Sequence, residues 1–241
     1  MRTQQIPQTP GSAGITHIDE TPKVVKKDDA PKRDAKPSTE VAFGRMKELE
    51  ADSDLAKKNP EAQARLRQDS RQAYLKALQL DPNNLEAYRG LGRLYTKMGD
   101  CDRAQENYRK AMTKYPKDAT LWYDLGLCYH RKREFPDSAR CFSKALEIDP
   151  DNVEYLKKLG FTYAWMGQYD HGLALLTRSQ GAALGHYNLA RVLIQKDQKE
   201  LARRHLNAAL RENGQLQDAR DLLASLDTPI TSGLGRPFLN D

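Results

Sequence analysis

The chain has 241 residues, 39% of them hydrophobic, and a formal net charge of +6, which suits one sizeable domain or two small ones. Acidic and basic residues alternate along it, without the basic stripe and interleaved aromatics of a nucleic-acid binder. The cysteines Cys101, Cys128 and Cys141 are odd in number and widely spaced, which argues against a disulfide framework or zinc site and for small buried hydrophobes or free thiols.

Residues 1–38 hold Pro7, Pro10, Pro22, Pro31 and Pro37 among many Lys, Asp, Thr and Ser, with almost no apolar periodicity. Such a segment buries too little surface to offset its ordering entropy and reads as a disordered, extended tail or linker. No apolar run approaches a membrane span, and Met1-Arg2-Thr3-Gln4-Gln5 lacks the apolar core of a secretory signal. The chain as it stands therefore reads as soluble and cytoplasmic. An anchor or signal upstream of Met1 would make it periplasmic or membrane-tethered instead.

From Glu40 onward apolar residues fall at helical spacing: Val41, Phe43, Met46 and Leu49, then Leu66, Ala73, Ala77 and Leu78. This pattern predicts helices at about 39–57 and 61–79, with Pro60 in the first turn of the second. Beyond them the text repeats. Gly92, Gly126 and Gly160 are 34 residues apart, and so are Tyr95, Tyr129 and Tyr163. Ala77, Ala111 and Ala145 keep the same step, as do Pro82, Pro116 and Pro150.

This period and pattern resemble the tetratricopeptide repeat, of bacterial type: an aromatic, Leu-Gly, Tyr, then Ala, an aromatic, Ala and Pro. One repeat supplies Tyr88, Leu91-Gly92, Tyr95, Ala104, Tyr108, Ala111 and Pro116. The next supplies Trp122, Leu125-Gly126, Tyr129, Ser138, Phe142, Ala145 and Pro150. The following two drift, through Leu159-Gly160, Tyr163 and Gly172 and through Leu189-Ala190 and Ala202. The first is degenerate and matches only at Ser70, Tyr74, Ala77 and Pro82. The resemblance implies an all-α, right-handed superhelical solenoid over 39–227. Its parts are a degenerate repeat at 39–84, repeats at 85–118, 119–152, 153–182 and 183–214, and a capping helix at 215–227. Pro229, Gly233, Gly235 and Pro237 mark a loose tail over 228–241. Between Gly160 and Ala190 the period shortens to 30 residues, which predicts a tighter turn near Gly181.

No H-E-x-x-H, C-x-x-C or phosphate-binding loop is present, and the five histidines form no ligand pair with carboxylates at helical spacing. We expect no enzyme, cofactor or metal. In the family the first helix of each hairpin lines the concave groove that takes a peptide or protein. Carried onto this chain, the groove is basic at Arg89, Arg93, Lys97 and Arg131. It is aromatic and apolar at Tyr123, Leu127, Phe161, Trp165 and Tyr187, with Lys157 and Arg191 beside them. A partner with acidic and bulky apolar residues would suit it. The other reading makes Phe161 and Trp165 packing residues and the arginines solvated.

The clamp that some relatives use for chaperone tails is not matched, since Arg89 and Arg93 replace its Lys and Asn and Asp124 replaces its second Asn. An RNA-reading repeat would need a regular polar code, which Glu86, Thr120, Glu154 and Leu184 do not provide. The leading expectation is a non-catalytic scaffold or adaptor in the assembly of a larger complex. The alternatives are a regulatory subunit of an enzyme complex, or an envelope-tethered lipoprotein of pilus or secretion assembly.

Overall fold

The computed structural model describes residues 36–227, so nearly all of the expected N-terminal tail and the whole of the 228–241 tail lie outside the described residues. The described chain is a run of antiparallel helix hairpins. Helices α1 (Pro37–Ala51) and α3 (Pro60–Leu80) form the first, with the short α2 (Asp54–Lys57) between them. Next come α4 (Leu85–Met98) with α5 (Cys101–Lys114) and α6 (Ala119–Arg131) with α7 (Phe135–Ile148). Helices α8 (Val153–Trp165) with α9 (Tyr169–Gln180) and α10 (Ala182–Gln195) with α11 (Lys199–Glu212) follow, and α12 (Gln217–Asp227) closes the array.

The first helix begins two residues before the expected boundary at 39, because Pro37 sits in its first turn, where a missing N–H costs nothing. It also stops at Ala51 and does not reach 57. Ser53 breaks it, its side chain accepting a hydrogen bond from Ala56 N and starting α2.

The 34-residue period is visible as repeated local chemistry. Asn84, Asp118 and Asn152 cap the first helices of successive hairpins, each side chain accepting backbone N–H bonds from the first turn. Asp81, Tyr115 and Asp149, each just before a proline, leave helical geometry and end the second helices. Gly99, Arg133 and Gly167 take the left-handed conformation between the two helices of their hairpins, and Asp197 does so in the last.

Each of the first four hairpins closes on a glycine. A Cβ placed on Gly126 would lie 2.6 Å from the Phe142 ring, and one on Gly44 would lie 2.9 Å from the Tyr74 ring. Gly92 meets Tyr108 in the same way, and Gly160 meets Leu176. Tyr74, Tyr108, Phe142 and Leu176 are fully buried at these contacts. Where serine stands in place of alanine on the second helix, it adds a buried bond: Ser70 Oγ donates to Gly44 O at 2.8 Å and Ser138 Oγ to Gly126 O at 2.9 Å. All three cysteines are buried free thiols.

Gly44 lies 48 residues before Gly92, not 34, and this offset explains why the first repeat looks degenerate. The linker Asp52–Asn59 replaces the two-residue turn Gly99–Asp100, and α3 carries two more turns than α5. The first helix of that repeat is present, displaced out of register by the insertion.

Successive hairpins are joined by four residues, such as Asp81–Asn84 and Asp149–Asn152, except between α9 and α10, where Gly181 alone makes the turn. Its φ of 86° and ψ of 163° belong to a region essentially reserved for glycine. The short link draws α10 onto α9, so that a Cβ on Gly185 would lie 2.9 Å from Thr177 N. Gly181→Ala is expected to destabilise the protein by about 1–3 kcal/mol. Hydrogen exchange should show the loss in α10–α12, and unchanged exchange there would contradict this account of the turn.

Candidate functional site

First helices of neighbouring hairpins touch one another, α1 with α4, α4 with α6 and α8 with α10, whereas the second helices make no comparable contact among the described residues. The first helices therefore line the inner side of the array. Helical spacing and the repeat register put three rows of side chains along it. One row is Val41, Arg89, Tyr123, Lys157 and Tyr187; the next is Arg45, Arg93, Leu127, Phe161 and Arg191. The third is Leu49, Lys97, Arg131, Trp165 and Gln195.

At the N-terminal end the rows meet in a pocket of about 270 Å³ lined by Arg45, Glu48, Leu49, Glu86, Arg89, Arg93 and Lys97. Three expected site residues, Arg89, Arg93 and Lys97, come together there. Acidic groups hold each of them. Lys97 Nζ lies 2.7 Å from Glu48 and 2.6 Å from Asp52, and Arg93 lies 3.8 Å from Glu48. Arg89 spans Glu86 at 3.1 Å and Asp124 at 3.4 Å.

Glu48 is 4% exposed and also accepts the Tyr74 hydroxyl at 3.0 Å, so this carboxylate links three helices. Burial opposes the charge on Arg93 and Lys97. It is outweighed, by Glu48 and Asp124 at Arg93 and by hydrogen bonds to Asp52 and Glu48 at Lys97, and both groups end above their ordinary values. Burial raises Asp124, partly offset by Arg89 and Arg93. These cations are thus neither bare nor merely solvated; they are largely neutralised from within. A larger open depression of about 500 Å³ lies outside this pocket, beside Pro82, Tyr88 and α5, and there Lys110 pairs with Glu106.

The middle of the groove is aromatic. Tyr123 packs against Phe142 and Tyr155, with ring centroids 5.6 and 5.0 Å apart, and donates its hydroxyl to Glu154 at 3.2 Å. Burial first, and then Glu154, raise its pKa. Lys157 pairs with Glu154 at 2.5 Å, while Leu127 packs with Tyr123 around Phe142 and Leu159. Phe161 and Trp165 are half-buried against the C-terminal core, and Trp165 stacks on Phe135 at 5.9 Å with the planes 6° apart. Arg131 donates to Thr96 O at 3.0 Å. At the far end Arg191 lies 5.9 Å from the centre of the Tyr187 ring and donates to Asn188 at 3.3 Å; its Nε is buried without a hydrogen-bond partner.

Sequence reasoning missed Arg45 and Leu49, because counting back 34 residues from Arg93 and Lys97 does not land on them. Aligning Gly44 with Gly92 would have found both. It also missed Glu48 and Asp52, the acids that answer the basic patch.

Behind Tyr187 the last hairpin is joined by an imidazole pair: His186 Nδ1 and His205 Nδ1 are 2.9 Å apart. Among the described residues no group of three or more His, Cys, Asp or Glu side chains is placed to hold a metal ion. No described helix is long and apolar enough to cross a membrane.

A family model described as tetratricopeptide repeat matches residues 90–153, and another described as TPR repeat matches residues 68–99. Residues 68–153 thus match tetratricopeptide repeats. Anaphase-promoting complex subunit 3 of Schizosaccharomyces pombe is 23% identical over 167 residues, 66% of this chain and 25% of that protein. The chain spans a quarter or less of the length of such curated relatives. Among solved structures, YrrB, described as a TPR protein with an unusual peptide-binding site, aligns with a TM-score of 0.54 at 19% identity, covering 76% of this chain and 90% of its own. TTC0263, a thermophilic TPR protein of Thermus thermophilus, aligns with a TM-score of 0.52 at 18% identity, over 79% of this chain and 98% of its own. At these identities the likeness is one of fold.

Burial lowers the affinity of both His186 and His205 for a proton; the neighbouring His186 lowers that of His205 further. One neutral ring can donate to the other, whereas two protonated rings would set N–H against N–H. Both folded values lie below the ordinary 6.5, so the pair's contribution is complete above about pH 6.5 and is lost as pH falls through the folded values. The thermal midpoint should stay level from about pH 8 to 6.5 and decline below that. His205→Gln should flatten the decline, and an unchanged slope in that variant would rule the pair out as its source.

Proposed function

We propose that this protein is a non-catalytic adaptor that holds a segment of another protein along the inner face of its first helices, within a larger assembly. The observation that carries the reading is the composition of that face. Tyr123, Trp165, Tyr187, Arg131 and Arg191, residue types that dominate interface hot spots, are set on rigid helices and remain partly accessible. The bridges between first helices, Arg89 to Asp124 and Tyr123 to Glu154 among them, support it by holding the face in one shape before a partner arrives.

Internal neutralisation of Arg89, Arg93 and Lys97 narrows the partner chemistry. The N-terminal pocket offers an acidic partner less than its count of cations suggests. Arg131 and Arg191, which the described residues answer with a backbone carbonyl and an amide oxygen, are better placed to meet carboxylates. The bulky apolar residues of a partner would lie between them, against Leu127, Phe161 and Trp165. The relatives agree in kind: the anaphase-promoting protein is by its name a subunit of a complex, and YrrB is by its description a peptide binder.

Affinity capture on the full chain, followed by mass spectrometry, tests this. Arg131→Glu combined with Tyr187→Ala changes the open groove while leaving Glu48 and its buried partners intact. A partner retained stoichiometrically by the unaltered protein should be weakened at least tenfold, a loss of about 1.4 kcal/mol or more. Full retention by a variant with unchanged circular dichroism would sink the groove reading.

A further inference from the structure

Helix α1 carries apolar residues on both of its faces. Gly44 and Ala51 are buried with Glu48 against α3, yet Phe43, Met46 and Leu49 are 43%, 44% and 65% exposed. Helix α2 at the same end adds Leu55, which is 83% exposed. Clusters of large exposed apolar side chains on a soluble domain mark interaction sites.

The repeat register identifies what that face is built to meet. On α4 the corresponding face packs onto the preceding α3: Gly90 meets the Tyr74 ring, and Leu91 and Leu94 beside it are buried. The 48-residue offset carries Gly90, Leu91 and Leu94 onto Ala42, Phe43 and Met46. In α6 the same positions include Leu125 and Cys128, again buried. The outer face of α1 is therefore a helix-docking face, and no described helix covers it.

The charges around it choose the occupant. Lys47 pairs with Glu50 at 2.8 Å and Lys57 with Asp54 at 3.5 Å. Arg45 and Lys58 have no acidic partner among the described residues. A second copy would bring the same two unanswered cations against themselves. It would also have to find the roughly 800 Å² per partner of a stable interface from a few side chains. The far end of the array is no better, since α12 turns Gln217, Asp218, Arg220 and Asp221 outward.

We propose that the α1–α2 end docks an amphipathic helix of another protein, with apolar residues against Phe43 and Met46, Leu49 at the edge shared with the inner face, and acidic residues reaching Arg45 and Lys58. This surface borders the N-terminal end of the inner face, where Arg45 and Leu49 line the pocket with Arg93 and Lys97, but it shares no residue with Arg131 and Tyr187, and its test does not rest on them.

The probe is a synthetic helical peptide of about five turns with a leucine face flanked by glutamates, compared with the same peptide flanked by lysines. Binding to the full chain is read by fluorescence anisotropy, with hydrogen exchange to locate it. The glutamate peptide should bind and protect α1, and Met46→Asp should weaken it at least tenfold. Arg45→Glu with Lys58→Glu should reverse the preference between the two peptides, while Arg131→Glu with Tyr187→Ala leaves both affinities unchanged. Arg45, Met46 and Lys58 are exposed, and thermal unfolding confirms that the variants fold.

Equal binding of the two peptides, or indifference to Met46→Asp, overturns the proposal. So does a concentration-dependent dimer in sedimentation that Met46→Asp dissolves, because the face would then belong to a second copy.

Discussion

Four of the five described hairpins close on a contact in which one side chain has been reduced to hydrogen so that another can fill the space; the last has Ala190 at that position. Gly44, Gly92 and Gly126 give up their Cβ to the rings of Tyr74, Tyr108 and Phe142, and Gly160 does so to Leu176. The close approach sets the angle within each pair of helices. That angle in turn decides which residues of the first helix face its neighbours and which face the groove. Because each pair leaves an apolar side open, no hairpin is stable alone, and the array exists only by stacking. The groove is a consequence of this contact, repeated.

A second constraint acts between hairpins. First helices are close enough for polar side chains to reach across, and they do so along the whole inner face: Lys97 to Glu48, Arg89 to Asp124, Tyr123 to Glu154, Lys196 to Trp165 O. These bonds fix the groove's shape and at the same time consume much of its charge. A cation that holds the scaffold together is poorly placed to hold a ligand as well, since releasing it would leave a buried carboxylate such as Glu48 unanswered. On the proposed reading, a partner would therefore meet the residues that the scaffold does not need.

The register of the inner face was legible because the 34-residue period is strict through Gly92, Gly126 and Gly160. From that register the rows from Arg89 to Arg191 follow by counting. The count fails at the first repeat, where an inserted linker and two extra turns of α3 shift Gly44 out of phase and hide Arg45, Leu49 and Glu48. The pairing of Arg93 and Lys97 with Glu48 was equally hidden, since their partner lies more than forty residues away, across that insertion. The His186–His205 contact escaped for a related reason: nothing in the spacing of two histidines on different helices says that their rings meet.

What this sequence determines by itself is local and periodic. It sets the helices, their caps at Asn84, Asp118 and Asn152, the stops before each proline, and the single tight turn at Gly181, because each depends on a few neighbouring residues and their backbone preferences. Which charges the described residues leave available, and which apolar face no described helix covers, were decided only by the tertiary structure. Both depend on distances between segments far apart in the chain, and a one-dimensional period carries those distances only where nothing has been inserted.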